Sequence, residues 1–168
     1  PGPHAMPRPY AMSRVVNMGH HLRLSDIQGA VGLAQLSKLD LLLKTRLYWA
    51  GRYDSALKEA DELILPSVPR KSCHTYQSYV VRLRRGGKKK RNKVMDYLAG
   101  RGIWTRPGTH AVHRLEVYRN KYKIRPGEFP NATKGEDETI ALPLYHSMHE
   151  KNFRCVIKAV KDAFLHTK

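Results

Sequence analysis

Two short stretches hold side chains whose types and spacing could do chemistry. "GHHLRLSDIQ", residues 19–28, places His20, His21 and Arg23 just ahead of a helix start. "TRPGTHAVHR", residues 105–114, gathers Arg106, Thr109, His110, His113 and Arg114 around a Pro-Gly turn. Histidines are common metal ligands, but two adjacent ones seldom point at the same ion, so His20 and His21 are read as no metal site. Arg23 beside the N–H groups and dipole of a helix N-terminus makes a chemically sensible phosphate site. The plainer alternative is a pairing with a surface carboxylate, and the residues alone favour it. His110 and His113, three apart, share a face if their segment is helical. A donor-rich turn after a strand suits a polar ligand, and an ordinary capped turn accounts for it equally well. The chain has no Gly-rich phosphate loop, H-E-x-x-H, G-x-S-x-G or dinucleotide fingerprint.

The elements that must position these groups are partly legible. Ser25 and Gln28 form an S-x-x-Q capping box, with Asp26 in the first turn where the helix dipole favours an anion. Ile27, Ala30, Val31 and Ala34, then Leu36, Leu39, Leu43, Leu47 and Ala50, continue one apolar stripe. Unbroken to Ala60, this helix would be roughly 50 Å long, with Gly51 as its weak point. A small domain cannot cover such a helix, so it reads as a spine packed against something else. "LILPSVP" reads as extended, and "TYQSYVVRL", residues 75–83, as a strand. Val94, Met95, Tyr97 and Leu98 mark a helix capped at its C-terminus by Gly102, and "IWTR", residues 103–106, reads as a second strand. "HAVHRLEVYRNKY" predicts a short helix, 131–138 another, and "IALPLY" an extended segment. Phe153, Val156, Ile157, Val160 and Phe164 define the inner face of a final helix. The fold class is therefore α+β: a small sheet layered with helices. Residues 1–18, rich in Pro and Met and without period, predict an irregular, partly mobile arm.

Size and charge narrow the function classes. A chain of 168 residues with 41% hydrophobic residues can bury a core. No apolar run reaches membrane-spanning length, and "PGPHAMPRPYAM" is no signal peptide, so a cytoplasmic protein without a membrane partner is expected. Cys73 and Cys155 form no metal or redox spacing and read as free thiols, a disulfide being the lesser alternative. The net charge of +17 invites nucleic acid as a partner. Much of the excess sits in "RRGGKKKRNK", residues 84–93, which reads as a solvated hairpin or loop. With no recognised nucleic-acid motif, that partner is not favoured.

In order, these motifs resemble the C-terminal part of the DegT/StrS family of sugar aminotransferases. "GHHLRLSDIQGAVGLAQLSKLD" is similar to the family pattern G-x-N-x-R-[LM]-[ST]-D-[IL]-Q-[AG]-A-x-G-L-x-Q-L. "RLYWAGRYDSAL" looks like the continuation of that helix and "CHTYQSYVVRL" like the strand H-x-[WY]-x-x-[YF]. "GIWTRPGTHAVH" with "YRNKYKIRPGEFPNA" looks like a substrate-side loop, and "ALPLYHSM" like the closing signature. The resemblance implies that residues 19–168 form the small C-terminal domain of a fold type I aminotransferase, with a long N-terminal helix and a small, mainly antiparallel sheet flanked by helices.

It also implies pyridoxal phosphate as the parent family's cofactor and a nucleotide sugar as its substrate. His21, where the family usually has Asn, and Arg23 match the segment that reaches the cofactor phosphate of a neighbouring subunit. Arg106, Thr109, His110 and His113 match the loop facing the sugar nucleotide. The family's Schiff-base lysine and the carboxylate at the pyridine nitrogen lie upstream of the matched region, so no catalytic residue is assigned here. The implied partner is a second copy, or a chain supplying the large cofactor domain. The implied function is that of a truncated or stand-alone domain, inactive by itself. A non-catalytic dimerising domain and a basic polyanion-binding module stand as alternatives.

Overall fold

The computed structural model describes residues 8–11, 15–20 and 22–167. Among the described residues, six α-helices accompany a three-stranded antiparallel sheet of order β1-β2-β3. The helices are α1 (Asp26–Leu36), α2 (Leu39–Leu57), α3 (Gly87–Ala99), α4 (Glu116–Tyr122), α5 (Pro130–Glu138) and α6 (Glu150–His166). The strands are β1 (Leu63–Ile64), β2 (Tyr79–Leu83) and β3 (Thr139–Leu142). In the sheet, Leu63 faces Leu83, and Tyr79 and Val81 face Leu142 and Ile140. Alternation along β2 buries Tyr79, Val81 and Leu83 and exposes Arg82.

The core lies between this sheet and helices α2, α3 and α6. The predicted face of α6 buries Phe153, Val156, Val160 and Phe164 and half-buries Ile157. Each such side chain contributes about 1.5–3 kcal/mol of transfer free energy. Tyr53 stacks on Tyr79 at 4.7 Å and meets Phe153 edge-on at 5.0 Å. Their hydroxyls are satisfied, Tyr53 donating to the Pro143 carbonyl at 2.8 Å and Tyr79 to Asp54 at 2.6 Å. Arg52 and Glu150 tie α2 to α6 through two hydrogen bonds of 2.8 and 2.9 Å.

Four expectations about elements need correction. The long helix breaks at Ser37 and Lys38, not at Gly51. Ser37 Oγ donates to the Ala34 carbonyl and the Lys38 N–H to the Gln35 carbonyl, tightening the last turn of α1 and ending it. Gly51 sits inside α2 on its open side, while Trp49, Ala50, Tyr53 and Leu57 hold that helix against the core. The strand predicted from 75 starts only at Tyr79, because Arg46 takes the carbonyls of Tyr76 and Gln77 and Tyr76 has φ +47°.

The basic run is largely helical rather than a loop. The chain turns at Gly86, with φ +97°, and α3 begins at Gly87. Arg91, Val94, Met95 and Leu98 give α3 a buried face that outweighs the clustered charge. Gly102, with φ +74°, closes α3: its N–H reaches the Ala99 carbonyl and that of Ile103 the Leu98 carbonyl. Residues 103–106 form no full strand; only Arg106 bridges to Ala141, and Pro107 cannot donate the next bond. The segment after it divides into a 3-10 turn at Val112–Arg114 and the short α4.

Candidate functional site

The segment 107–111 is held from behind by β3 and α5. Gly108 donates its N–H to Thr139 Oγ1 at 3.0 Å, and Thr139 in turn donates to the Gly135 carbonyl. A Cβ at Gly108 would lie 2.3 Å from Val80 Cγ1, so only glycine lets the loop approach the sheet this closely. Further on, Ala111 donates its N–H to Glu136 at 2.7 Å. Arg114 grips Asp137 with two hydrogen bonds and reaches Glu136 at 3.3 Å. These hydrogen bonds hold the Asp137 carboxyl below the usual carboxylate range and the Arg114 guanidinium above its ordinary value.

In front of this anchored loop lies a cavity of about 730 Å³. Arg106 and His110 line it from the loop, Trp104 and Thr105 from the preceding segment, and Pro143 from the end of β3. Residues 8–11 close the opposite wall, with Tyr10 donating to Asp96 at 2.9 Å and Arg8 donating to Tyr10. Two guanidiniums, an imidazole and aromatic surface fit an anionic ligand with an apolar part. The hydroxyl of Thr105 is buried without a hydrogen-bond partner among the described residues.

The four residues matched to the substrate loop therefore divide. Arg106 and His110 face the cavity. His113 turns away, its Nε2 3.2 Å from Thr133 and its ring against Phe129. Thr109 packs its methyl against Gly135 of α5. His21 lies outside the described residues. Arg23 is exposed beside the capped start of α1. There Ser25 accepts from the Gln28 N–H and donates its own N–H to the Gln28 side chain, the capping box read from the sequence.

For a pyridoxal phosphate group, this donor set fits the phosphate end alone. Arg23 and the positive end of α1 supply charge suited to a phosphate. A Schiff-base amine depends on surroundings that desolvate it, and none of the described lysines is buried. The described residues include no group of three or more His, Cys, Asp or Glu able to hold a metal.

The sequence reading missed Thr105 and Trp104 as cavity walls, although the alternation in "IWTR" was a signal. It also missed Glu136 and Asp137, an acidic pair in a strongly basic chain that anchors the loop from α5.

Residues 4–161 match the family model described as the DegT/DnrJ/EryC1/StrS aminotransferase family. The chain belongs to this family. It is 31% identical over 150 residues to the spore coat polysaccharide biosynthesis protein SpsC of Bacillus subtilis, covering 88% of this chain and 39% of SpsC. It is 33% identical over 149 residues to the GDP-perosamine synthase of Caulobacter vibrioides, covering 88% and 39%. The fold matches that of Helicobacter pylori PseC, described as an aminotransferase involved in the biosynthesis of pseudoaminic acid, with a TM-score of 0.76. That match has 22% identity and covers 91% of this chain and 41% of PseC. The chain thus spans about two-fifths of the length of the curated relatives it matches. The family is pyridoxal-phosphate-dependent, and its solved members have the fold type I aminotransferase fold. Among the described residues, no helix is long and apolar enough to cross a membrane.

Proposed function

We propose that these 168 residues act as the small domain of a pyridoxal-phosphate-dependent nucleotide-sugar aminotransferase. The reaction moves an amino group from an amino acid, glutamate, to a keto-sugar nucleotide. Pyridoxal phosphate supplies the electron sink when bound. This domain frames the ligands: His21 and Arg23 serve the cofactor phosphate of a neighbouring subunit, and Arg106 and His110 serve the sugar nucleotide. Thr109 and His113 shape the same loop from behind. The observation that carries the reading is the cavity that brings Arg106 and His110 together on a loop anchored by Glu136 and Asp137.

The same reading has the 168 residues inactive by themselves, since no lysine here matches the family's Schiff-base position. The test is titration with pyridoxal phosphate, followed by absorbance, borohydride reduction and peptide mass mapping. Diffuse labelling of surface lysines, or none, is expected. A saturable adduct at one lysine would overturn the inactivity.

A second reading rests on α1, which buries no residue although Ile27, Val31, Leu33 and Leu36 lie on it. That exposed apolar surface favours a homodimer, or docking to a chain that supplies the large cofactor domain. Sedimentation of the purified chain tests the homodimer: self-association supports it, and a clean monomer at high concentration excludes it.

A further inference from the structure

The basic run that the sequence places in a solvated loop forms the outer surface of a helix instead. Lys88, Lys89 and Lys90 occupy the first turn of α3, where the helix dipole disfavours cations, and no acidic residue in that turn offsets them. Lys89 and Lys93, four apart, repel one another on the exposed side, away from the buried Val94, Met95 and Leu98. Neither lysine forms a salt bridge among the described residues. These charges oppose the helix that carries them, so the arrangement gains only when an anion from outside the chain meets it.

Helix α6 packs against α3 and sets a second basic stripe beside the first. Lys90 Nζ lies 5.7 Å from the centre of the Phe164 ring, and Tyr97 stacks on His166 at 5.4 Å. The outer side of α6 carries Lys151, Lys158 and Lys161, all exposed, while Arg154 is taken by Glu150 at 2.8 Å. From Lys151 to His166 the single carboxylate is Asp162, which is half-buried and pairs with none of these lysines. On the same side of the helix, two turns beyond Lys158 and one beyond Lys161, Leu165 is 67% exposed.

Cations that end in an open leucine fit one kind of surface. A nucleic-acid backbone takes the lysines but offers nothing to an apolar side chain, and unpaired bases need open aromatic rings to stack on. Tyr97, the aromatic ring beside the lysines, is already engaged by Arg101, 3.4 Å from its centre, and by His166. A bilayer containing anionic lipids takes both groups: its phosphates meet the ammonium groups, and the leucine reaches the acyl boundary. Attachment of this kind needs no membrane-spanning helix.

We propose that the outer face of α3 and α6 docks the chain on an anionic lipid surface through Lys89, Lys93, Lys158 and Lys161, with Leu165 entering the headgroup layer. The inference stands apart from the small-domain reading, since it uses no residue of the cavity and no cofactor.

The test sediments the 168-residue chain with vesicles of phosphatidylcholine alone, and of phosphatidylcholine with about a quarter phosphatidylglycerol, at low and at high salt. The chain is expected to bind only the anionic vesicles and to be released as salt rises. Each basic residue at such a surface is worth about fivefold in affinity, so K89E/K93E and K158E/K161E should each weaken binding by about thirtyfold or more. K121E/K123E, the same change of net charge placed at the end of α4, should weaken it far less. L165A should weaken it by about threefold with the salt dependence unchanged. Thermal melts separate these effects from unfolding, and the lipid and salt dependence of wild type relies on no variant.

Equal binding to neutral vesicles, no binding to anionic ones, or an equal loss from K121E/K123E overturns the proposal. So does L165A binding vesicles as wild type does. Tighter retention by a duplex oligonucleotide than by anionic vesicles at the same salt overturns it too, and assigns the face to nucleic acid.

Discussion

Arg114 holds Asp137 in a fork of two hydrogen bonds, 2.6 Å from Nη1 and 2.7 Å from Nη2. The pair joins the turn after the candidate substrate loop to α5, and α5 in turn receives the Ala111 N–H. The loop that carries Arg106 and His110 is thus positioned by charge-assisted bonds made behind it. D137N removes the charge while keeping the shape. It is expected to lower stability by about 1–2 kcal/mol, discounted for the partly exposed guanidinium. Urea unfolding checks this.

The same pair predicts an acid dependence. Folding depresses the Asp137 carboxyl, first through the hydrogen bond from Arg114, so its stabilisation is present above its ordinary value of 3.8 and is lost as pH falls below it. Glu150, held down to about 2 by Arg52 and then Arg154, behaves likewise, with its contribution present above 4.5 and lost toward 2. The melting temperature of wild type should fall steadily below pH 4, and D137N should show a shallower fall. Parallel curves would remove Asp137 from the account.

Gly108 is the tightest point behind the loop. G108A would press its methyl against Val80 and Thr139, and overpacking of this kind costs about 1–3 kcal/mol. The strain moves the loop, so ligands of Arg106 should weaken beyond what the stability loss explains. G127A is the contrasting variant: Gly127, unlike Gly108, has positive φ, +87°, and a Cβ there would meet open space. It should cost stability without touching ligand affinity.

Tyr53 and Tyr79 both have their phenols pushed well above 10, chiefly by burial, with the Asp54 carboxylate adding to the effect at Tyr79. An acid whose folded value is raised contributes stability that is full below the unfolded value of 10 and is lost as pH rises beyond it. The chain should therefore lose stability above pH 10. Y79F, which also leaves Asp54 without this donor, should flatten that loss while lowering stability near neutrality by about 1 kcal/mol. Thermal melts across pH 8–11 measure both effects.

Ile27 is 79% exposed and Val31 58%. I27E and V31E should change the unfolding free energy of the chain by no more than about 0.5 kcal/mol, as surface substitutions do. Both should reduce any self-association seen by sedimentation. A large stability loss in dilute solution would show that the face is covered within the chain itself.

The capping box at Ser25 and Gln28, the inner face of α6 and the cap at Gly102 are legible because each depends on residues within a few positions of one another. The break at Ser37 was not legible, since the apolar stripe runs through it without a change of period. The start of β2 was displaced by Arg46, which lies 30 residues from the carbonyl of Tyr76 that it captures. The helical start of α3 was hidden by its charge. Arg91, 1% exposed, lies on the same face as Val94, Met95 and Leu98, and no local rule predicts that an arginine in a basic run will be buried.

By itself, the sequence determined the class of the fold and the family resemblance, and it singled out two segments as candidates for site chemistry, because periodicity, caps and ordered motifs are local properties of a chain. Tertiary structure alone decided which members of those segments share a space. Arg106 and His110 line one cavity, while Thr109 and His113, one and three residues from His110, turn to α5. That division follows from the close approach of Gly108 to Thr139 and the pull of Glu136 and Asp137 on the loop. These contacts span 22 to 31 residues, and their geometry exists only once β3 and α5 are packed against the sheet.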